Sequence, residues 1–553
     1  MHRLFDPTPR RWRRELDGRW SFVTDPDDEG VDMGYFDDFP ADADRIDVPG
    51  TWNTVARYHD YEGPAWYRRT FDLPEGGPTR LSFQGVCHDA TVWIDGDRVA
   101  DHYGGYTPFE VSERLDAGQH DVVVRADNTR DEESIPRPGT DWFPYGGITR
   151  EAVVESLPPV SVSDVAVAYE LDDDRADVRV EVTVHNDGQA TERAATANVG
   201  DATAERTLEL VPGTTTAAFE LSLDIDRWSP EDPQLYEVRA TVGEDERRER
   251  VGFRTVEVTD TALLVNGEQV DVRGVNRHED HPEWGHAQPL RVQELDLDVI
   301  EDAGLNAVRT SHYPNHPRFL DLCDERGVLV IEEIPYWQFD AERFRRGDVL
   351  DRGATMLEEM IERDRNHPSI LAWSVTNECA NEEPGVLEAT EELVSVARTL
   401  DDRPVTLASN NYHPDGEGAD PCLDLVDFVC ANAYPGWYSD GEYADVLRGV
   451  REDHPDKPVV VSEFGAGAVA GERTREDQKW SEGFQADFLA DAVETFRGAE
   501  YVAGFTVWQY CDTRTDPRNW ERRPKTKNNK GVVDEYRRPK AAYRRLADLL
   551  DGP

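Results

Sequence analysis

The sequence predicts a multidomain protein: two β-sandwiches, the first jelly-roll-like and the second immunoglobulin-like, followed by a (β/α)8 TIM barrel. Three observations lead there. Residues 1–158 are short alternating runs broken by Gly, Asp and Pro. Residues 159–257 alternate more cleanly and carry few helix signals. From 258 to 553, short apolar strands alternate with helical stripes. A chain of 553 residues has room for all three units.

In the first unit, Thr91-Val92-Trp93-Ile94 and Asp121-Val122-Val123-Val124-Arg125 are typical strands, and the Pro158-Pro159 pair marks a linker. In the second, Val178, Val180, Val182 and Val184 share one strand face, because side chains alternate along a strand. Further strands are predicted over 215–223 and 235–242. In the third, eight barrel strands are predicted over 270–275, 307–311, 328–334, 370–376, 404–408, 426–433, 459–462 and 502–508. Val292, Leu295 and Val299 form one helical stripe, and Met356, Leu357, Met360 and Ile361 another. No Gly-rich phosphate loop follows the first strand, which disfavours a flat doubly wound sheet.

Asp plus Glu number 114 against 60 Lys plus Arg, a net charge of −54. Such a surface repels phosphate backbones and anionic lipids, so neither nucleic acid nor membrane is an expected partner. Only six of the basic residues are Lys. Dense carboxylates with almost no Lys predict a halophilic protein, whose self-repulsion molar salt screens within a few ångströms. The six Cys show no metal-knuckle spacing and read as buried free thiols. The opening stretch has paired Arg but no apolar core of an export signal, and no run is long enough to span a bilayer. A cytoplasmic protein is therefore expected.

Barrel sites lie at the C-terminal strand ends. The fourth strand ends Trp373-Ser374-Val375-Thr376-Asn377-Glu378, and alternation turns Ser374, Thr376 and Glu378 toward the axis. The seventh ends Ser462-Glu463-Phe464-Gly465. Two Glu finishing two apolar strands face one another across the mouth. Paired carboxyls suit glycoside hydrolysis, in which one donates a proton to the leaving oxygen and the other attacks the anomeric carbon. Mutual repulsion and unequal solvation split their pKa values.

These two stretches resemble the acid/base and nucleophile motifs of glycoside hydrolase family two. Asn306-Ala307-Val308-Arg309-Thr310-Ser311-His312-Tyr313-Pro314 and Gly274-Val275-Asn276-Arg277-His278-Glu279 resemble two further hallmarks, and the domain order agrees. The resemblance implies Glu378 as acid/base and Glu463 as nucleophile, with Asn377 on the sugar 2-OH. It implies that Tyr434 donates to Glu463, that Arg309 keeps Glu463 ionised, and that Trp508 is a platform for a sugar face. His312 either contacts sugar hydroxyls or supports the residues that do. His278, Glu279, His281 and His286 are dense enough to raise a metal site, but the family uses such residues as scaffolding. No metal or cofactor is expected.

A uronic acid would need a cation for its carboxylate. Lys525, Lys527 and Lys530 follow strand eight, and a Lys ammonium with an Asn amide two residues away suits a carboxylate. Asn528-Asn529-Lys530 resembles the Asn-x-Lys motif with which the family's β-glucuronidases hold that group. Asn432-Ala433-Tyr434-Pro435-Gly436-Trp437-Tyr438 resembles the same subgroup's strand-six loop, placing Tyr438 near the carboxylate, and Asp141 matches a sugar-binding Asp of the first sandwich. The run Val507-Trp508-Gln509-Tyr510 departs from the subgroup, which carries Asn-Phe after Trp, and some family β-galactosidases share an Asn-x-Lys-Gly run. The expected activity is a retaining exo-β-glycosidase acting on terminal β-D-glucuronides of small molecules or oligosaccharides. A β-galactosidase or β-galacturonidase is the alternative within enzymes, and a non-catalytic carbohydrate-binding protein the alternative outside them. A homo-oligomer is left open.

Overall fold

The computed structural model describes residues 2–414, 418–474 and 478–551. In the first sandwich a six-stranded sheet, ordered Asp44–Val48, Gly18–Thr24, Pro64–Leu73, Gly118–Asp127, Asp89–Ile94 and Asp97–Tyr103, packs on a four-stranded one. The alternation seen in the sequence is the cause: Val122, Val124, Val92 and Ile94 point inward and are buried with Trp20, Phe22 and Tyr67. The second sandwich pairs a three-stranded sheet (Val160–Asp172, Arg175–Asn186, Gly213–Asp224) with a four-stranded one. Val178, Val180, Val182 and Val184 are all at most 1% exposed, so each contributes the roughly 1.5–3 kcal/mol of a buried aliphatic side chain.

Eight parallel strands then close into a barrel: β1 (Val272–Asn276), β2 (Ala307–Thr310), β3 (Leu329–Glu333), β4 (Ile370–Asn377), β5 (Val405–Ser409), β6 (Val429–Asn432), β7 (Val459–Phe464) and β8 (Val502–Val507). The longer helices around it are α1 (Leu290–Asp302), α2 (Pro317–Arg326), α3 (Val349–Asp364), α4 (Pro384–Leu400), α5 (Tyr443–Asp453), α6 (Glu482–Arg497) and α7 (Ala541–Leu550). Among the described residues between β5 and β6, the helical structure is a 3-10 turn, Pro421–Leu425. Outward residues such as Trp373 and Val375 join the helix-facing core, whereas inward Ala307, Ile331, Ala372, Ala408 and Val460 fill the barrel floor. A polar mouth above an apolar floor follows directly from that division.

Two sequence readings shift. Val270 belongs not to β1 but to the strand Glu268–Val270 of a small antiparallel sheet with Leu263–Val265 and Val256–Val258, whose apolar side chains join the barrel floor. In α1, Leu295 is 38% exposed and the buried face instead carries Val292, Asp296, Leu297 and Ile300. Asp296 is buried because Arg277 (2.9 Å) and Arg537 (2.8 Å) neutralise it there. The Met356, Leu357, Met360 and Ile361 stripe of α3 is buried throughout. All six Cys are buried and unpaired. No described helix is long and apolar enough to cross a membrane.

Candidate active site

The barrel mouth opens into a cavity of about 800 Å³, roofed by the segment of the first sandwich that carries Arg137, Gly139 and Asp141. Glu378 and Glu463 both line it. Each is delivered by an apolar strand whose burial fixes its register. Glu378 stands one residue beyond β4 with a φ of 51°, a left-handed conformation that a non-Gly residue holds only when its surroundings over-determine it. Here its N–H donates to Ala408 O (2.8 Å) and two amides grip its carboxylate, Gln338 at 2.9 Å and Asn432 at 3.1 Å.

Glu463 has a different environment. Arg309 of β2 donates to one oxygen (3.0 Å) and the Tyr434 hydroxyl to the other (2.7 Å). The Arg309 guanidinium is fully buried and spreads over four acceptors: Glu463, Asn276 (2.8 Å), Glu333 (2.7 Å) and Asn377 (2.7 Å). Asn276 is held in turn by its amide donations to Ser462 O (2.8 Å) and Thr506 O (3.1 Å). One cation therefore serves two carboxylates. Burial pushes Glu333 upward, but Arg309, His312 (2.7 Å) and the Ser374 hydroxyl (2.6 Å) hold it below the ordinary carboxylate range. Much of the Arg309 charge is spent on Glu333.

That division decides the protons. Burial raises Glu378, its two amide donors only partly offsetting the cost. Burial, and then the charge of Glu378, push Glu463 up to about 8. That repulsion is mutual and favours neither site; what differs is that Glu463 accepts from the Arg309 cation and Tyr434, whereas Glu378 accepts only from two neutral amides. A single proton on the pair is thus favoured on Glu378, leaving Glu463 bare. The rate is then expected to be bell-shaped in pH, since adding a second proton blocks Glu463 and removing the first disarms Glu378. Because burial raises both, the window lies above the ordinary Glu range. A kcat/KM profile with both limbs below pH 5 would contradict it.

Of the other residues expected from sequence, Asp141, Tyr434, Tyr438, Trp508 and Lys530 line the cavity with the two Glu. Asn377 lies behind the wall, its oxygen occupied by Arg309 and Asn432 (3.0 Å), but its amide N–H2 is buried and has no protein partner. His312 stacks on Trp508 (5.2 Å between centroids) and its Nε2 stands 3.8 Å from Glu463 without a hydrogen-bond partner. Asn528 is fully buried, 3.5 Å from Asp141, with its side-chain oxygen unpartnered.

The Lys cluster divides. Lys527 is paired to Glu535, while Lys530 is buried and turned to the cavity, where its ammonium donates to the Tyr438 hydroxyl at 2.5 Å. Although Tyr438 is 62% exposed, partial desolvation of its hydroxyl raises it, and the charges of Lys530 and Arg523 more than offset this, holding it below the ordinary tyrosine value. Arg523 meets Asp141 at 2.6 Å. Sequence reasoning missed Glu333, Asn432, Gln338 and Arg523. Glu333 ends β3 as Glu378 and Glu463 end theirs, so the same strand-end rule points to it. Asn432 ends β6 two residues before Tyr434. Arg523 opens the basic segment that carries Lys530, whereas Gln338 sits in an unpatterned loop and gave no signal.

The dense His group is not arranged as a ligand set. Glu279 is held by Arg150 (3.0 Å) and the His316 N–H (2.8 Å), and His286 faces the Glu279 carbonyl (2.6 Å). Among the described residues, Asp321, Asp324 and His367 come close enough to hold a metal ion, but Arg3 bonds both Asp321 oxygens (3.1 and 3.0 Å).

Comparison with known proteins agrees along the whole chain. Residues 13–158 match the family described as "Glycosyl hydrolases family 2, sugar binding domain", 160–254 match "Glycosyl hydrolases family 2" and 256–550 match its "TIM barrel domain". The β-glucuronidase of Streptococcus agalactiae is 29% identical over 548 residues, covering 89% of this chain and 90% of that protein. The crystal structure of a GH2 β-galacturonidase from Eisenbergiella tayi bound to galacturonate has a TM-score of 0.92 and 34% identity, covering 100% and 99% of the two chains. A β-glucuronidase from Ruminococcus gnavus, in complex with uronic isofagomine, has a TM-score of 0.90 and 28% identity, covering 100% and 99%.

Proposed function

The chain belongs to glycoside hydrolase family 2, and on that premise we propose that it is a retaining exo-β-glycosidase that releases terminal β-D-glucuronic acid. Glu378 donates its proton to the leaving oxygen while Glu463 attacks the anomeric carbon. In the second half Glu378, now a base, takes a proton from the water that frees the sugar. The unpartnered Asn377 amide supplies a donor for the sugar 2-OH, and Tyr434 and Arg309 aim the nucleophile.

One observation carries the choice of sugar. A buried ammonium, Lys530, faces the same cavity as the catalytic pair, held by a phenol rather than by a carboxylate. A uronate supplies the missing anion. Chromogenic β-glucuronides, β-galacturonides and β-galactosides, assayed side by side, test it. Lys530→Ala is expected to lower kcat/KM on the uronide by about 10²-fold while costing the galactoside under about tenfold, since it removes a charge-assisted contact to the carboxylate. Equal losses on charged and neutral sugars would overturn carboxylate recognition.

The β-galacturonidase reading is favoured by the 34% identity to the Eisenbergiella tayi enzyme, and the same panel separates it. Both uronides present the carboxylate that Lys530 needs. The composition further supports a cytoplasmic setting at molar salt. Raising KCl from millimolar to molar is expected to raise the melting temperature, because a net charge of −54 repels itself when unscreened. A melting point indifferent to salt would count against that setting.

A further inference from the structure

The walls of the cavity invert the charge of the chain. Among the described residues lining it, Arg137, Lys479, Arg522, Arg523 and Lys530 are cationic, against three carboxylates, Asp141, Glu378 and Glu463. Glu378 and Glu463 do the chemistry and Asp141 is neutralised by Arg523. In a chain of net charge −54 the catalytic mouth is thus a basic island.

Arg137 is placed where this matters. Its guanidinium lies over the Trp337 ring (5.5 Å) and donates to the Gln338 carbonyl at 3.1 Å. The Gln338 side chain in turn holds Glu378 at 2.9 Å. Glu378 protonates the leaving oxygen, so whatever that oxygen carries must pass beside Trp337 and Arg137. Arg137 forms no ion pair among the described residues, and its Nε is buried without a partner. Trp337 is 8% exposed and its ring lies under the guanidinium, so it seats Arg137, and a guanidinium without an ion-pair partner suits a carboxylate or sulfate.

We propose that Arg137, seated on Trp337, forms an acceptor subsite for an anionic sugar, so that the substrate is an acidic oligosaccharide with a carboxylate or sulfate on the residue next to the terminal uronide. The cavity of about 800 Å³ is larger than a single sugar ring needs. This deepens the uronidase reading above and rests on it. Lys530 would take the carboxylate of the terminal sugar and Arg137 the anion of the next one.

Four substrates test it: a chromogenic uronide, and three disaccharides with the same terminal uronide linked to a neutral hexose, a hexuronate or a sulfated hexose. Wild-type kcat/KM is expected to be about tenfold higher on at least one acidic disaccharide than on the neutral one, as one charge-assisted contact provides. Whichever acidic arm is preferred identifies the anion. R137Q is expected to bring that ratio to within about twofold, and R137K to keep most of it because the charge survives. Melting curves control for folding, and the wild-type ratio stands even where R137Q does not fold. A wild-type ratio near one, or a ratio that R137Q leaves in place, overturns the subsite. If the chromogenic uronide is cleaved and the ratio fails, only this inference falls. If no uronide is cleaved, the uronidase reading falls and takes the subsite with it.

Discussion

Glu463→Gln is expected to lower kcat by on the order of 10⁴- to 10⁶-fold, because it removes the atom that bonds the anomeric carbon and leaves no carboxylate able to replace it. The amide is nearly isosteric and Tyr434 can still donate to its oxygen, so folding should be unaffected. Glu378→Gln should cost less, about 10²–10⁴-fold, and the loss should depend on the leaving group. An activated phenol departs without a proton, so the first step survives, and the glycosyl-enzyme then waits for a base that is gone. Azide, which needs no base, should restore turnover in Glu378→Gln and not in Glu463→Gln. Rescue of both variants, or of neither, would mean that the roles are misassigned. A rate within about tenfold of wild type for Glu463→Gln would remove it as nucleophile.

Arg309→Met should be the most damaging change outside the pair. The guanidinium is fully buried and serves Glu463 and Glu333 together. Removing it leaves Glu333 at the centre of the barrel with only His312 and Ser374, so a loss of about 3–5 kcal/mol is expected for a broken buried pair. Glu463 also loses the cation that favours its ionised form, so the acid limb of the rate profile should move upward and kcat should fall by about 10²-fold or more. Adding Glu333→Gln to Arg309→Met removes the stranded charge and should return part of the stability but none of the rate. That split separates the structural task of Arg309 from its electrostatic one. A double variant that regains both would show that Arg309 acts only through folding.

The sequence was most informative where a single strand carries the information. Glu378 and Glu463 each end an apolar run, and period-two alternation alone turns them to the same mouth. Lys530 stood out because Lys is so scarce elsewhere. What local pattern does not encode is which distant groups meet. Arg309 reads as one Arg at a strand end, yet its value lies in reaching four strands at once. Gln338 and Arg523 are placed by loops whose course depends on the packing of the first sandwich over the barrel. The exposure of Leu295 has the same origin: helix periodicity favoured an apolar stripe, while the buried Arg277–Asp296–Arg537 network turned the helix otherwise.

The central claim is that Glu463 forms a covalent bond to the sugar while Glu378 tends the protons. A 2-deoxy-2-fluoro-β-glucuronyl fluoride should load readily and hydrolyse slowly, so that the intermediate accumulates. Peptide mass spectrometry of the trapped enzyme should then place the adduct on Glu463, in the peptide containing Ser462-Glu463-Phe464. An adduct on Glu378, or rapid turnover of the fluoride to the inverted product with no adduct at all, would contradict the account.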